Sequence, residues 1–232
     1  EVRAICEKAG LPTKTIPGMY ELLNGTVSVN QLRDVNIEDL LRRDPVRTDI
    51  AAVHGFSNMP TDPDLAIAAG TRLCEELLEP LQDKFGRIAI RSAYRSEEVN
   101  GFGNKMQRTT SQKGYSCASN EDNYAGHIWD RRDADGHMGA TACIVIPAFW
   151  DRFQVQGDWQ KLAWWIHDHL PYHEQYFFPK YFAFNLTWRE NPQRIIKSYV
   201  APKGTLTKPG MDNHGGSHET EWAALEGAFG QR

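Results

Sequence analysis

Apolar residues recur at helical spacing over Asp62–Phe85, which predicts one long amphipathic helix. The apolar positions of this helix are Leu65, Ile67, Ala68, Leu73, Leu77, Leu78 and Leu81. Thr61 or Asp62 is suited to cap the first turn, and Pro63 is tolerated there because that turn does not need its N–H. Pro80 is expected to end or bend the helix, since proline cannot donate a backbone hydrogen bond.

Four further stretches have the composition of β-strands. Arg87–Ala93 alternates as a short strand, and Phe182–Trp188 predicts a late strand in the core. Gly126–Arg132 and Met138–Pro147 flank the sequence Asp133-Ala134-Asp135-Gly136. An Asp-Gly pair in that setting is a strong hairpin signal, so we expect these two strands to pair around it.

The remaining elements complete one α+β domain. The aromatic-rich stretch Trp159–Leu170 predicts a helix that ends before the following proline. Glu97–Asn104 predicts either a helix or a loop, and the polar residues 105–123 predict a surface loop. From residue 201 the chain is rich in loop-forming residues, with a short helix predicted within 219–229.

Composition excludes several classes of protein. The chain has 232 residues, 41% of them apolar, and seven tryptophans, which is enough for a buried core. Its 26 Lys and Arg are nearly balanced by 30 Asp and Glu, so we expect no nucleic-acid partner. No apolar run reaches 18 residues, so we expect a soluble domain without a transmembrane segment. Glu1 opens the chain in what reads as the middle of a helix, which indicates a truncated N-terminus; the compartment and the oligomeric state are left open.

One candidate binding loop follows the Arg87–Ala93 strand. It reads Arg91-Ser92-Ala93-Tyr94-Arg95-Ser96, and an arginine in such a loop can present its guanidinium fork to a carboxylate. The structural alternative is that an arginine makes only a surface ion pair while Tyr94 packs in the core.

A second candidate concerns metal binding. In the expected hairpin, His127 lies roughly opposite Ala142 or Cys143, and a shift of one residue decides whether the side chains share a face. If they do, imidazole and thiolate are close enough to share zinc. The structural alternative is a buried cysteine beside a hydrogen-bonded histidine.

Two other groups favour structural roles over metal binding. His167 and His169 are two residues apart in the predicted helix, so they point to different sides, and both lie where the helix dipole favours positive charge. Asp130, Asp133 and Asp135 with Gly136 resemble a calcium loop only loosely, because the place of its bidentate glutamate holds Ala142. The turn interpretation is favoured there.

The N-terminal segment, residues 1–53, resembles a known family. Pro12–Gly18, Glu21–Gly25 and Leu32–Val46 are similar to membrane-associated nucleotide-sugar dehydratases and epimerases of polysaccharide biosynthesis. In that family such a segment leads into an NAD-binding Rossmann domain. No Gly-x-Gly-x-x-Gly follows a strand here, so nothing cradles a pyrophosphate and we expect no NAD. We interpret the segment as a remnant joined to an unrelated domain.

Residues 54–198 carry a second resemblance. The fragments that carry it are Arg91–Ser96, Asn100, Gly126-His127, Gly139–Ile144 and Phe184–Trp188. In this order they resemble the bacterial zinc D-Ala-D-Ala carboxypeptidases, metallopeptidases of the cell wall that share their fold with hedgehog signalling domains. The resemblance implies a small antiparallel sheet with helices packed on it, in a domain of residues 54–200 followed by a tail of residues 201–232.

The family pattern assigns roles to individual residues. Arg95, with Tyr94 and Ser92, matches the loop that positions an arginine against substrate. His127 matches the first zinc ligand, and Cys143 stands where the family has its aspartate ligand. A thiolate keeps the ability to bind zinc.

Two further positions depart from the pattern. Asn185 stands where the family has its third ligand, a histidine, and offers only a weak amide oxygen. Phe182 stands where the family has the glutamate that acts as general base. Loss of such a base typically lowers the rate about 100- to 10,000-fold.

The two resemblances, with these departures, leave three hypotheses. The first is a degenerate peptidase-like domain that binds a peptide or peptidoglycan-like ligand without efficient hydrolysis. In this hypothesis zinc binding can be lost. The second is an active zinc hydrolase that uses His127 and Cys143 with one of His167, His169 or His173. The third is a fragment of a nucleotide-sugar dehydratase or epimerase.

Overall fold

A computed structural model describes residues 50–110, 115–155 and 158–230. Of residues 1–53, which are interpreted as a remnant, residues 1–49 lie outside the described residues. The described part is an α+β domain with one six-stranded mixed sheet, which confirms the predicted fold class. In these three ranges no helix is both long and apolar enough to cross a membrane.

The sheet has the strand order β1-β2-β4-β3-β5-β6. The strands are β1 (Ala89–Ser92), β2 (Gly139–Val145), β3 (Glu174–Phe177), β4 (Phe184–Arg189), β5 (Ile195–Ser198) and β6 (Gly204–Thr207). Neighbouring strands are antiparallel except β3 and β5, which are parallel. The four inner strands, β2, β4, β3 and β5, are paired on both sides.

Helices precede, separate and follow these strands. The α-helices are α1 (Ile50–His54), α2 (Pro63–Leu73), α3 (Glu79–Phe85), α4 (Glu97–Thr109), α5 (Asn120–Asn123), α6 (Pro147–Phe153), α7 (Trp159–His169), α8 (Glu219–Trp222) and α9 (Ala224–Ala228). A π-helical turn covers Cys74–Leu78, and 3₁₀ turns cover Lys180–Phe182 and Asp212–His214. The helix predicted within Glu97–Asn104 is present and continues into the predicted loop, to Thr109.

The long helix predicted over Asp62–Phe85 is present but interrupted. Asp62 caps it, with Oδ1 accepting a hydrogen bond from the N–H of Leu65 at 3.0 Å. The π-helical turn separates α2 from α3, and there the N–H of Glu79 donates to the carbonyl of Cys74, five residues back. Pro80 explains this turn, because it lacks an N–H and its ring would collide with a carbonyl in a regular α-helix.

Alternation along the strands gives the sheet two different faces. The helix face carries apolar residues that pack against α2, α3 and α7, and its buried members include Ala142, Ile144, Leu186, Phe177 and Ile196. The opposite face, here called the polar face, carries Ser92, Thr141, Cys143, Asn185, Thr187, Glu174, Tyr176 and Lys197. The core therefore lies on one side of the sheet, and polar groups collect on the other.

The predicted hairpin of Gly126–Arg132 with Met138–Pro147 is wrong. The turn itself forms, with the N–H of Gly136 donating to the carbonyl of Asp133 at 3.0 Å and Gly136 at φ 85°. Residues 126–132, however, form turns and one isolated bridge, and β2 pairs with β1 and β4 instead. A local turn signal could not reveal these partners, because both are distant in sequence.

The residues after 200 contribute to the domain. β6 is one of the two edge strands of the sheet, and Leu225 and Phe229 belong to the main hydrophobic core. His218 and Trp222 both donate hydrogen bonds to Asp168 near the end of α7. The boundary proposed at residue 200 stays a prediction.

Candidate functional site

A row of side chains crosses the polar face from strand to strand. Ser92 is the register partner of Cys143, Cys143 that of Asn185, and Asn185 that of Tyr176. Tyr176 in turn lies beside Lys197 in the parallel pair of β3 and β5. Register partners in antiparallel strands project to the same face, so the three residues assigned by the family pattern to this part of the sheet are neighbours.

A β-bulge brings Ser92 into this row. Ile90 pairs with Ile144, but the next paired residue is Ser92 with Cys143, so Arg91 is the extra residue. In a regular ladder Ser92 would oppose Ala142 and project to the helix face. The bulge therefore turns the serine hydroxyl towards Cys143, and bulges of this kind are frequent next to functional sites.

Hydrogen bonds hold the Arg95 side chain next to Ser92, at the β1 end of this row. Its Nη2 donates to Oγ of Ser92 at 3.3 Å. Its Nη1 donates to Oδ1 of Asn100 at 3.1 Å and to Sγ of Cys117 at 3.2 Å. Arg95 is only 9% exposed, and the hydrogen bond to Ser92 links its guanidinium to the polar face. That hydroxyl accepts from the guanidinium and can donate its own proton to a ligand.

His127 lies next to the same loop, although not through a hairpin. Its Nδ1 is 2.8 Å from the carbonyl oxygen of Ala93, and its own carbonyl accepts from the N–H of Arg95 at 2.8 Å. A carbonyl can only accept, so Nδ1 carries a proton. Metal-binding histidines usually have this arrangement, with the second nitrogen donating to a carbonyl.

Contacts at the start of β2 hold the segment before His127 against the sheet. Arg189 donates from Nε to the carbonyl of Ala125 and from Nη2 to that of Tyr124, both at 3.2 Å. Gly139 permits this approach, because a Cβ there would collide with the carbonyl oxygens of Ala125 and Trp188. The position of His127 therefore depends on the glycine that opens the motif in β2.

Tyr94 is fully buried, which is the structural alternative raised for it from the sequence. Its ring packs edge-on against Trp129 with the centroids 5.9 Å apart. Burial, followed by the nearby charge of Asp130, raises the pKa of the Tyr94 phenol above its ordinary value. Tyr94 therefore supports the loop from the core, while Ser92 lies at the polar face.

Phe182, at the position of the family's general base, points into the core. It is 6% exposed and meets Trp150 edge-on at 5.0 Å. Tyr181 and Phe182 have φ values of 61° and 47°, a region that residues with side chains seldom adopt. The strained turn directs the Phe182 ring to the helix side of the sheet, away from Asn185.

The histidines of the second hypothesis are placed differently from His127. His167 and His169 are on α7, which packs on the helix face: Nε2 of Gln175 donates to the carbonyl of Ala163 at 3.1 Å. The sheet thus separates these two side chains from Cys143. Both ring nitrogens of His167 have partners, with Nδ1 2.6 Å from the Tyr172 hydroxyl and Nε2 2.9 Å from the His214 carbonyl.

His173, the third histidine considered, follows α7 and precedes β3. Its Nδ1 is 3.2 Å from the carbonyl oxygen of Asn191. Burial, followed by the charge of Arg189, lowers the pKa of His173. Neither its neighbours nor its hydrogen bond links it to Cys143.

Among the described ranges, one group of three His, Cys, Asp or Glu side chains is close enough to hold a metal ion. It consists of Asp133, Asp135 and His137, whose ligand atoms lie within 4.8 Å of one another. Asp133 Oδ1 already accepts from the N–H groups of Asp135 and His137 at 3.1 and 2.9 Å. Although burial raises the pKa of Asp133, these hydrogen bonds and the charge of Arg189 lower it overall. The group thus stabilises the turn that the sequence predicts.

Comparisons with known proteins connect the chain to one of its two resemblances. Capsular polysaccharide biosynthesis protein CapD of Staphylococcus aureus is 40% identical to this chain over 53 residues. The match covers 23% of this chain and 9% of that protein. No family model matches the chain, and no solved structure does.

Tyr176 and Lys197 extend the candidate site beyond the residues that sequence reasoning found. They belong to β3 and β5, and the sequence predicts no strand at β3. In the folded strand the half-buried Tyr176 lies between buried Gln175 and Phe177. The sequence Glu174-Gln175-Tyr176-Phe177 does not alternate between polar and apolar residues, so no periodic signal indicated its side of the sheet.

Proposed function

We propose that this domain is a degenerate zinc D-Ala-D-Ala carboxypeptidase-like module that binds a peptide or cell-wall fragment without efficient hydrolysis. The observation that carries the proposal is the alignment of Ser92, Cys143 and Asn185 in one row of the polar face. These residues match the substrate loop, the second ligand and the third ligand of that family. In the sequence they are separated by 51 and 42 residues, so only the fold brings them together.

Ligand binding is expected to begin at Ser92. The guanidinium of Arg95 polarises the Ser92 hydroxyl through the 3.3 Å hydrogen bond. A hydroxyl that accepts from a cation is a better donor, so it suits the terminal carboxylate of a peptide. Asn185 adds an amide that can both donate to and accept from the peptide backbone.

Weak hydrolysis follows from two residues. Phe182 supplies no proton acceptor, and its ring lies among Trp150 and the buried core. Asn185 replaces an imidazole by a weakly binding amide oxygen. His127 and Cys143 could still hold zinc, but a bound water would have no positioned base to take its proton.

The experiment that tests the proposal measures binding and cleavage together. Calorimetric titration with a pentapeptide that ends in D-Ala-D-Ala should show binding, while released D-Ala stays at the buffer background with or without zinc. Ser92→Ala should weaken binding about tenfold, the loss of one charge-assisted hydrogen bond. Glu219→Ala, an exposed position in α8, is the matched control and should bind like the original protein.

Two results would overturn the proposal. One is the absence of peptide binding in a protein that circular dichroism shows to be folded. The other is zinc-dependent release of D-Ala at many turnovers per second, the range of ordinary enzymes, which would make the domain an active peptidase.

A second candidate function rests on the 53-residue match to CapD. It supports a role for part of this chain in polysaccharide biosynthesis, as a fragment of a nucleotide-sugar enzyme. Fluorescence titration of the whole chain with NADH tests whether a cofactor site is present despite the missing glycine loop. Saturable NADH binding would favour this candidate over the peptidase-like one, and its absence would exclude the NAD-dependent activity of such an enzyme for this chain.

A further inference from the structure

The imidazole ring of His218 lies between two hydrogen-bond acceptors. Its Nδ1 is 2.7 Å from Oδ1 of Asp168, and its Nε2 is 3.0 Å from the carbonyl oxygen of Asn213. A carbonyl and an ionised carboxylate can only accept hydrogen bonds. A neutral imidazole has one ring proton, so one of its nitrogens would direct a lone pair at an oxygen atom. An imidazolium ion has two ring N–H groups and donates to both acceptors.

The ring face of His218 also suits a positive charge. It stacks on Trp164, with the ring centroids 4.0 Å apart and the planes inclined by 10°. A cation over the face of a tryptophan is attracted by the π electrons of the indole. The side chains of His218 and Asp168 are each only 10% exposed. Burial opposes a charged ring, but here both ring nitrogens and one ring face have partners that offset this cost.

The other residues of α7 and of the 3₁₀ turn around His218 add little charge near neutral pH. The His167 ring meets His218 edge-on at 5.1 Å, and burial lowers the pKa of His167 to about 4. Burial, followed by the charges of Arg194 and His218, lowers the pKa of His214. Asp168 is ionised, because the hydrogen bonds that it accepts outweigh its burial and lower its pKa.

Charged residues outside these two elements act in both directions. Arg194, which precedes β5, donates from Nη2 to the carbonyl of His167, and its charge opposes a second cation nearby. Glu219 and Glu221 follow His218 in α8 and favour a cation. The one direct ionic contact of the ring is with Asp168, so this contact decides the balance.

We propose that His218 is an imidazolium ion in the folded protein, that it binds residues 212–222 to α7, and that this contact weakens as the pH rises. The backbone N–H of His218 also donates to Oδ2 of Asp168 at 2.6 Å, so one residue makes three hydrogen bonds that close the segment on the helix. Loss of one ring proton removes one of them and leaves a lone pair facing an oxygen atom.

The sign of the pH dependence follows from linkage. An unfolded histidine loses its proton above about pH 6.5. The folded protein retains the proton on His218 through Asp168 and Asn213, so rising pH favours the open segment. Trp222 donates to Asp168 at any pH, so part of the contact persists after His218 is neutral. The inference goes beyond the proposed function, since α7 packs on the helix face and the sheet separates it from Ser92.

Nitrogen-15 NMR of the histidine rings tests the protonation state in the unmodified whole chain. The His218 signals are assigned through their contacts with the Trp164 ring. At pH 7.5 an ordinary histidine is about 90% neutral, whereas we expect both ring nitrogens of His218 to carry a proton. A neutral His218 ring at this pH overturns the inference, and this result does not depend on the folding of any variant.

Hydrogen exchange tests the effect on residues 212–222. Rates are divided by those of an unstructured chain at the same pH, because exchange itself is faster in base. Between about pH 7 and pH 9 protection should fall about tenfold more in the unmodified protein than in His218→Gln, the loss of one charge-assisted hydrogen bond. His54→Gln, an exposed change in α1, is the matched control and should keep the full pH dependence.

The outcomes are separate from those of the proposed function. Equal loss of protection in His218→Gln and the unmodified protein overturns the role of His218, whatever the peptide titration shows. The D-Ala-D-Ala pentapeptide should bind equally to both proteins, because the ligand row lies on the polar face. A failure of peptide binding would leave the NMR and exchange results unchanged.

Discussion

Cys143 on β2 and Asn185 on β4 are direct register partners on the polar face of the sheet. Their side chains therefore project side by side, with Ser92 on the other flank of Cys143. His127 approaches from the adjoining loop through its hydrogen bond to Ala93. The relationship places Cys143 and Asn185 in one region of the polar face, next to the loop that holds Arg95.

A glutamate at position 182 should destabilise the fold. Phe182 is 6% exposed and packs on Trp150, so Phe182→Glu would bury a carboxylate in an apolar environment. We expect a loss of about 3 kcal/mol in the free energy of unfolding, measured by urea denaturation. Phe182→Leu keeps an apolar side chain and should cost roughly half as much or less. Equal stability of the Glu variant and the unmodified protein would show that this position faces solvent.

Local signals in the sequence were sufficient for much of the fold. Asp62 caps the first helix as one of the two predicted candidates, and α7 begins at Trp159 as predicted. β1, β2 and β4 lie within or close to the predicted strands. In each case the element is predicted by a capping residue, a proline or an apolar pattern that lies within a few residues of it.

The pairing of strands that are distant in sequence could not be predicted from such local signals. The Asp-Gly turn is real, yet β2 pairs with β1 and β4, and β5 lies parallel to β3. Strand partners depend on the packing of the whole sheet and leave little local trace. The bulge at Arg91 is a further case, since one extra residue decides which face Ser92 joins.

For the same reason, only some residues of the candidate site could be predicted. The family pattern identified Cys143 and Asn185 as site residues, whereas the predicted hairpin would have put His127 opposite β2. The structure puts Ser92 and Asn185 beside Cys143 and brings His127 in through Ala93. Tyr176 and Lys197 were not predicted, because their place in the site follows from β3 and β5 pairing within the same sheet.

The protein should lose stability as the pH falls from about 6.5 to 4 because of His167. Burial, followed by the charges of Arg194, His218 and His214, lowers the pKa of His167 to about 4. Between these pH values the unfolded chain binds a proton that the folded state excludes, so acid favours unfolding. For His167 alone the loss approaches about 3 kcal/mol at pH 4.

Urea denaturation at several pH values checks this expectation. His167→Gln removes the titrating group, so its free energy of unfolding should fall less over the same interval. His214 and His173, whose pKa values burial also lowers, remain in both proteins and contribute equally. Parallel pH profiles for the two proteins would contradict the assignment to His167.

Asp168 should hold the C-terminal segment against α7. It accepts hydrogen bonds from the N–H of His218 at 2.6 Å and from Nε1 of Trp222 at 2.8 Å, and its Oδ1 is 2.7 Å from Nδ1 of His218. Asp168→Asn replaces one acceptor oxygen by a donor, which should cost about 1–3 kcal/mol. Hydrogen exchange should rise first at residues 214–222. Glu219→Gln, an exposed change in the same segment, should leave exchange unaltered.

The pH dependence of this contact differs from that of His167. Although burial raises the pKa of Asp168, hydrogen bonds from Trp222 and His218 lower it overall. Its contribution is therefore complete above the ordinary aspartate pKa of about 3.9 and is lost as the pH falls through the lower folded value. Protection from exchange at residues 214–222 that is already lost between pH 6.5 and 5 in the His167→Gln variant, which lacks the titrating group beside His214, would contradict this account.

Zinc binding by the double variant Cys143→Asp, Asn185→His tests the central claim most directly. If His127 and the two adjacent strand positions face one hollow, the variant regains the ligand set of the zinc peptidases. We predict one zinc ion per chain by elemental analysis, and its loss when His127→Ala is added. A double variant that is folded yet retains no zinc would show that these three side chains do not converge.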